Sequence, residues 1–160
     1  MERDLIDVFA DGSFNPRLSV GGWAFVAFQA KREIQRDHGS APGDSNNTFE
    51  VLAILKAVIW INTEWHGAPA TIWTDSSRAE EGCRRFRPIW RNNDWRRIEP
   101  NFRKRKRTIR DVALWQELDR QLSANPCLRI EWCRGHDGIE GNELADTIAR
   151  AAAKLRTPGT

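Results

Sequence analysis

Four carboxylates stand where a chain could assemble an acidic centre. Asp11 ends an alternating apolar run, Glu50 opens a long apolar segment, Asp75 follows a short strand-like run, and Asp146 falls in the first turns of the last helical segment. Strand ends and helix starts are where an α/β sheet presents functional groups. Each residue also has a local explanation. Asp11 begins a turn signal with Gly12 and Ser13, Glu50 completes a capping box with Asn47, Asp75 caps a helix beginning at Ser77, and Asp146 suits a helix N-terminus. If the four converge, their mutual repulsion raises their pKa values unless a cation neutralises them. Ligands that offer only oxygen select hard ions, Mg²⁺ or Mn²⁺. Zinc is disfavoured, because the three histidines and three cysteines (Cys83, Cys127 and Cys133) show no paired metal-ligand spacing. Two hard ions about 3.5–4 Å apart would clamp an in-line displacement at a phosphodiester.

The elements that must position these groups follow from hydrophobic periodicity. Residues 5–10 alternate, with Ile6, Val8 and Ala10 on one face and Asp7, Phe9 and Asp11 on the other; they predict a first strand ending at Asp11-Gly12-Ser13, ahead of Asn15-Pro16. Gly21-Gly22 opens a second strand over 23–29, and a third over 34–38 follows the charged turn Lys31-Arg32, giving an antiparallel meander. Residues 39–47 are predicted as loop. Residues 48–63 are apolar or helix-forming at almost every position, which predicts a buried helix with Asn47 as its N-cap candidate. A strand over 70–74 and a helix over 77–85 come next, with breaks at Pro88 and Pro100. Asp111 can cap a helix whose apolar stripe is Val112, Leu114, Trp115, Leu118 and Leu122. A fifth strand over 128–133, a Gly-rich loop over 134–141 and a terminal helix over 142–155 complete the chain. Strands first, then helices interleaved with two more strands, predict a mixed sheet covered by helices.

Composition narrows the function classes. The 160 residues, 40% hydrophobic and 29% charged, suit one globular domain with a single core. No stretch approaches the ~18–20 consecutive apolar residues of a membrane span, and the N-terminus lacks the basic and apolar regions of a signal peptide, so secretion and membrane contact are not expected. Three cysteines, an odd number, read as reduced thiols filling space in a cytoplasmic protein. The net charge of +3 hides an asymmetry: residues 84–110 carry twelve Lys or Arg against Asp94 and Glu99, while the rest of the chain is net acidic. Phe86, Trp90, Trp95 and Phe102 interleave with those charges. Aromatic rings among guanidinium and ammonium groups supply anchors for the segment and faces for sugars or bases, the pattern of a nucleic-acid contact. A solvated charge run is the plainer alternative.

The ordered set Val8-Phe9-Ala10-Asp11-Gly12-Ser13, Ser45-Asn46-Asn47-Thr48-Phe49-Glu50, Trp73-Thr74-Asp75-Ser76, Trp132-Cys133-Arg134-Gly135-His136 and Gly141-Asn142-Glu143-Leu144-Ala145-Asp146 resembles bacterial type I ribonuclease H. The likeness runs from about Leu5 to Ala153, and the ordered set is far more specific than any one motif. It implies a ribonuclease H-like α/β fold: a five-stranded mixed sheet in the order 3-2-1-4-5 with helices on both faces. It also implies endonucleolytic hydrolysis of the RNA strand of an RNA–DNA hybrid, leaving 5′-phosphate and 3′-hydroxyl ends, with two Mg²⁺ ions and Mn²⁺ able to substitute. On this resemblance, residues 1–156 form one ribonuclease H domain with a basic protrusion at about 84–110, residues 157–160 are a flexible tail, and the protein is a cytoplasmic monomer.

Carried over by position, Asp11, Glu50, Asp75 and Asp146 match the metal-binding catalytic carboxylates, and His136 matches a mobile-loop histidine that assists proton transfer or product release. Asn15, Asn46, Asn47 and Ser77 match contacts to the nucleic-acid backbone, where amides can read the 2′-hydroxyl. Ser45 matches a hydroxyl of a pocket for a DNA-strand phosphate. Phe86, Trp90, Arg103, Lys104, Arg105, Lys106 and Arg107 match the protrusion that grips the hybrid. The chain departs from the family pattern in four places. A Gly is missing before Asn15-Pro16, Ser77 replaces a longer amide, Phe86 stands where Trp is common, and Asp111 stands where Asn is common in the phosphate pocket. An acid there repels a phosphate unless Arg110 or Arg107 compensates. Three other readings stay open on sequence alone: a noncatalytic hybrid- or duplex-binding module, another metal-dependent nuclease or strand-transferase of the same fold, and a ribonuclease H domain cut from a reverse transcriptase.

Overall fold

The computed structural model describes residues 5–66, 68–97, 108–135 and 138–155. His136, residues 103–107, the expected break at Pro100 and the expected tail at 157–160 lie outside them. Five strands, β1 (Ile6–Asn15), β2 (Val20–Gln29), β3 (Arg32–Pro42), β4 (Ala70–Thr74) and β5 (Leu128–Trp132), form one sheet in the order β3-β2-β1-β4-β5. The first three make the antiparallel meander, and β4 and β5 join β1 in parallel, with Phe9 opposite Trp73 and Thr74 opposite Trp132. The helices are α1 (Asn46–Glu64), α2 (Ser77–Glu81), α3 (Arg87–Asn92), α4 (Val112–Ser123) and α5 (Glu140–Ala153). The sheet order matches what the family resemblance implies. No described helix is long and apolar enough to cross a membrane.

The two faces of β1 are used differently. Ile6, Val8 and Ala10 join Val51, Ile54, Val58 and Ile61 of α1 and Trp115, Leu118 and Leu122 of α4 in one buried core. On the opposite face α5 lies across β1 and β2 on its buried Ala145, Ala149 and Ala152. Side chains this small let the helix come close: a Cβ on Gly22 of β2 would overlap the Ala149 carbonyl oxygen. Burial of the apolar α1 face stabilises the fold by about 25 cal/mol per Å² removed from water.

The expected boundaries shift in several places, each for a reason of packing. The first strand does not end at Asp11. It continues to Asn15, paired with β2 through Gly12–Trp23 and Asn15–Val20, and the turn falls on residues 16–19. Gly12 serves a close approach rather than a turn, because a Cβ there would overlap the Phe49 carbonyl and the Glu50 amide. The third strand runs on to Pro42, so residues 39–42 of the expected loop at 39–47 are strand, and Asn46 and Asn47 already belong to α1. Ser45, not Asn47, is the N-cap residue of α1, and it makes no side-chain cap bond. Asp75 does not cap α2. Ser76 does, its hydroxyl oxygen accepting from the Ala79 amide at 3.1 Å.

The break expected at Pro88 is absent, and the helical structure expected over 77–85 continues through it to Asn92. A π-helical turn, Gly82–Phe86, links α2 to α3, and Pro88 sits in the first turn of α3. The Arg87 amide bonds the Gly82 carbonyl across the wide turn. The next carbonyl, that of Cys83, has no amide partner at Pro88 and accepts from Arg87 Nε at 3.1 Å instead. Asp111 precedes α4 in a left-handed conformation and gives no cap bond, because its carboxylate is turned toward Thr48. The terminal helix begins at Glu140 and ends at Ala153, two residues earlier at each end than the expected 142–155.

Candidate active site

Asp11 lies on β1 two residues past the last β1–β4 pair, where the strand has left its parallel neighbour. It continues the face of Asp7 and Phe9, the face α5 covers. Glu50 comes from the first turns of α1, Asp75 directly follows β4, and Asp146 is in the second turn of α5. Three of the four converge: Asp11, Glu50 and Asp75 each offer a carboxylate oxygen within 4.8 Å of the others. Asp146 stands outside that triad but faces Asp11, and its own carboxylate is held by Arg150 Nε at 3.1 Å, one turn along α5.

Asp11 is 2% exposed and Glu50 6%. Glu50 is held by two donors, the Gly12 amide at 3.2 Å and Asn46 Nδ2 at 3.4 Å. Asp11 Oδ2 is buried and meets no donor among the described residues. Burial, then the charges of Glu50 and Asp75, then Asp146, push the Asp11 carboxyl far above its ordinary range. Burial and Asp75 push Glu50 up as well, against the Gly12 amide, Asp11 and Asn46. An oxygen surrounded by carboxylates must meet either a proton or a cation. The donor set contains only carboxylate oxygens, so the triad could hold a hard divalent ion.

The acidic group forms the floor of a cleft of about 500 Å³, bordered by Ser13, Asn46, Ser77, Arg78, Gly135 and Arg150. A second cleft, of about 370 Å³, is lined by Ser45, Asn47, Phe86, Trp90, Arg97 and Arg110, among others. Arg78 borders both clefts. The second wall is rigid, with Phe86 stacked on Trp90 at 5.6 Å between ring centres and Trp90 edge-on to Trp115 of α4 at 5.3 Å. Asp119 of α4 accepts from Arg87 at 2.5 Å and Arg91 at 2.9 Å, fastening α3 to the core.

The residues expected from sequence therefore divide. Asp11, Glu50, Asp75, Asp146, Asn46 and Ser77 line the acidic cleft; Ser45, Asn47, Phe86 and Trp90 line the second. Asn15 lines neither, and its Oδ1 accepts from the Arg17 amide at 3.1 Å, closing the turn after β1. Trp95 is half-buried against the core. Asp111 does not line the second cleft. Sequence reasoning missed Arg78, Arg150 and Asn142. Arg150 carried a signal, since it stands four residues after Asp146 on one helix face. Arg78 lies outside the basic segment, and nothing local marked it. Asn142 donates from Nδ2 to Asp75 Oδ2 at 3.5 Å, a contact between residues 67 apart in the chain.

Comparison with known proteins agrees with this geometry. The family model described as RNase H matches residues 3–154. A ribonuclease H of Dichelobacter nodosus is 32% identical over 157 residues, 98% of this chain and 97% of that protein. Among solved structures, LC9-RNase H1, described as a type 1 RNase H with the type 2 active-site motif, superposes with a TM-score of 0.77 at 25% identity, covering 96% of this chain and 74% of that one. The foamy viral protease-reverse transcriptase in complex with an RNA/DNA hybrid gives a TM-score of 0.79 at 18% identity; 95% of this chain corresponds to 20% of the viral one, a likeness of fold. With the sheet order, the acidic triad and a match over residues 3–154 in agreement, the chain belongs to the ribonuclease H family.

Proposed function

We infer that this protein is a metal-dependent endoribonuclease that hydrolyses the RNA strand of RNA–DNA hybrids, leaving 5′-phosphate and 3′-hydroxyl ends. One observation carries the reading: three carboxylates from β1, α1 and the end of β4 meet within 4.8 Å, around a buried oxygen of Asp11 that faces no donor among the described residues. A pure polyanion binder gains nothing from clustered negative charge, so this arrangement speaks against a noncatalytic module. Asp11, Glu50 and Asp75 would hold the cation, with Asp146 completing the set. Bound there, divalent cations, two Mg²⁺ with Mn²⁺ able to substitute, would supply the positive charge that offsets negative charge developing on a phosphodiester.

The chain's own groups supply the rest. The Gly12 amide and Asn46 hold Glu50 in place. Arg150 restrains Asp146. Asn46 and Ser77 border the cleft where the RNA strand would lie, and Ser45, Asn47, Phe86, Trp90 and Arg110 border the one where the DNA strand would rest. Arg78, between them, is placed to meet the backbone of the hybrid. His136 is assigned a proton-transfer or product-release role, and Arg103, Lys104, Arg105, Lys106 and Arg107 the outer grip on the duplex. Residues 1–156 would form the single domain, with the protrusion at 84–110 and a tail at 157–160, acting as a monomer in the cytoplasm.

The deciding experiment uses 5′-labelled RNA annealed to DNA in excess Mg²⁺, beside RNA duplex, DNA duplex, EDTA and Asp75→Asn controls. Cutting confined to the hybrid's RNA, and lost in both EDTA and the variant, is the expected result. Binding of the hybrid without cleavage, in Mg²⁺ and Mn²⁺ alike, overturns the reading in favour of a binding module.

A further inference from the structure

Asn142 is 2% exposed in the first turn of α5, and its Oδ1 is buried without a hydrogen-bond partner among the described residues. A carbonyl left unsatisfied in the interior costs stability, and an apolar side chain of similar size would avoid that cost. The amide's other end explains its presence. Nδ2 is directed at Asp75 Oδ2, 3.5 Å away, and a carboxylate can only accept, so the NH₂ group must be the end that faces it.

Asp75 needs such a restraint. It is half-buried just past the last residue of β4, beyond strand pairing, and it does not cap α2. Its main chain is fixed by Trp132 Nε1, which donates to the Asp75 carbonyl at 3.2 Å, and Gly135 packs so closely that a Cβ there would stand 2.9 Å from Oδ2. Those contacts set where the carboxylate is, and Asn142 sets how it is turned. We propose that Asn142 is a positioning residue, whose buried amide orients the Asp75 carboxylate toward Asp11 and Glu50 so that the three can share a cation. The proposal rests on the metal-dependent reading above. It also makes α5 contribute twice to the centre, through Asp146 and from below through Asn142.

The test uses Asn142→Leu, which keeps bulk and removes the donor, with Asn142→Ala as a second variant should the first fail to fold. Mn²⁺ affinity is measured by calorimetry on the free protein, alongside melting temperature in EDTA and steady-state cleavage of a hybrid. The expected result is Mn²⁺ binding weakened about three- to tenfold, toward the low end for an outer partner because the hydrogen bond is long. kcat should fall with it, KM for the hybrid should stay unchanged, and the melting temperature in EDTA should be no lower than wild type. A purely structural role would lower that melting temperature and leave the Mn²⁺ affinity of the folded protein untouched. Wild-type Mn²⁺ affinity and kcat in a folded variant overturn the proposal alone. Absence of Mn²⁺ binding and of cleavage in the wild-type protein overturns the metal-dependent reading and the proposal with it.

Discussion

Thr48 Oγ1 donates to Asp111 Oδ2 at 2.7 Å, joining the first turn of α1 to the residue before α4 across 63 positions of sequence. The bond changes the meaning of an acid near the second cleft. A carboxylate lining the cleft would repel a nucleic-acid phosphate directly; this one is turned to a hydroxyl and lies outside the cleft wall, so its charge acts only from a distance. Arg110, its neighbour, lines that cleft and pairs with the exposed Asp44. The positive side of the pocket is kept while the acid is engaged in holding two helices together.

Asp111→Asn should therefore act on affinity rather than on chemistry. An Asn side chain can still accept from Thr48, so the α1–α4 link survives, while one negative charge beside the second cleft disappears. KM for the hybrid is expected to fall about two- to fivefold, the effect of roughly 0.5–1 kcal/mol from a partly screened charge, with kcat unchanged. Steady-state kinetics at low salt measure it, and an unchanged or raised KM removes Asp111 from the electrostatics of binding.

The buried acids make the metal-free protein sensitive to pH. Burial and neighbouring negative charge raise the Asp11 and Glu50 carboxyls above their ordinary values of 3.8 and 4.5. A group raised in the fold stabilises it fully below its unfolded pKa and loses that contribution as pH rises toward its folded pKa. In EDTA the contribution of these two acids should thus decline from pH 5 to pH 8. Mg²⁺ should restore more stability at pH 8 than at pH 5. Asp11→Asn removes a buried acid that the metal-free fold must keep protonated, a cost that grows with pH, and should raise the melting temperature in EDTA at pH 8 by about 3–10 °C, with a smaller gain at pH 5. Scanning calorimetry of both proteins at the two pH values settles the point; a variant that melts with wild type at pH 8 contradicts it.

Much of this site was legible because its chemistry sits in short contiguous motifs. Asp11, Glu50, Asp75 and Asp146 could each be found from residue type and position, and the convergence of the first three follows from a sheet order that the same motifs imply. What escaped the sequence was set by distant partners. Gly12 resembles a turn residue, yet its role depends on the backbone of Phe49 and Glu50. β3 extends through His38 to Pro42 because β2 offers pairing partners as far as Val20, which no local propensity records. Pro88 reads as a helix break until a π-helical turn and the Arg87 side chain accommodate it. Asn142 falls within a quoted motif, but its role depends on a carboxylate 67 positions away, which no local pattern records.

The clamp at Asp119 offers a separate test of how the protrusion is held. Its carboxylate is 8% exposed as a residue and accepts from two guanidinium groups, with Arg87 largely buried and Arg91 nearly half exposed. Asp119→Asn leaves both cations without a salt-bridge partner among the described residues. Partial exposure discounts the loss, so a destabilisation of about 1–3 kcal/mol is expected, below that for breaking a fully buried pair. KM for the hybrid should rise as α3 loosens, while kcat at saturation holds. Thermal melts and kinetics on the same preparation check both parts, and a stable variant with raised kcat would mean that the clamp restrains catalysis instead.

Salt dependence separates the outer grip from Arg78. Each phosphate neutralised by a cation releases counterions, so the slope of log affinity against log salt counts the contacts made. Replacing Arg103, Lys104, Arg105, Lys106 and Arg107 with neutral residues should weaken binding and flatten that slope by several contacts' worth. Arg78 is a different case. It is exposed at the border of both clefts, and its guanidinium makes no ion pair among the described residues. It is free to meet one phosphate. Arg78→Gln should reduce the magnitude of the slope by about one and raise KM without changing Mn²⁺ affinity. The measurement is hybrid binding by fluorescence anisotropy over a salt series with Ca²⁺ in place of Mg²⁺. A slope identical to wild type would show that Arg78 faces the hybrid without touching its backbone.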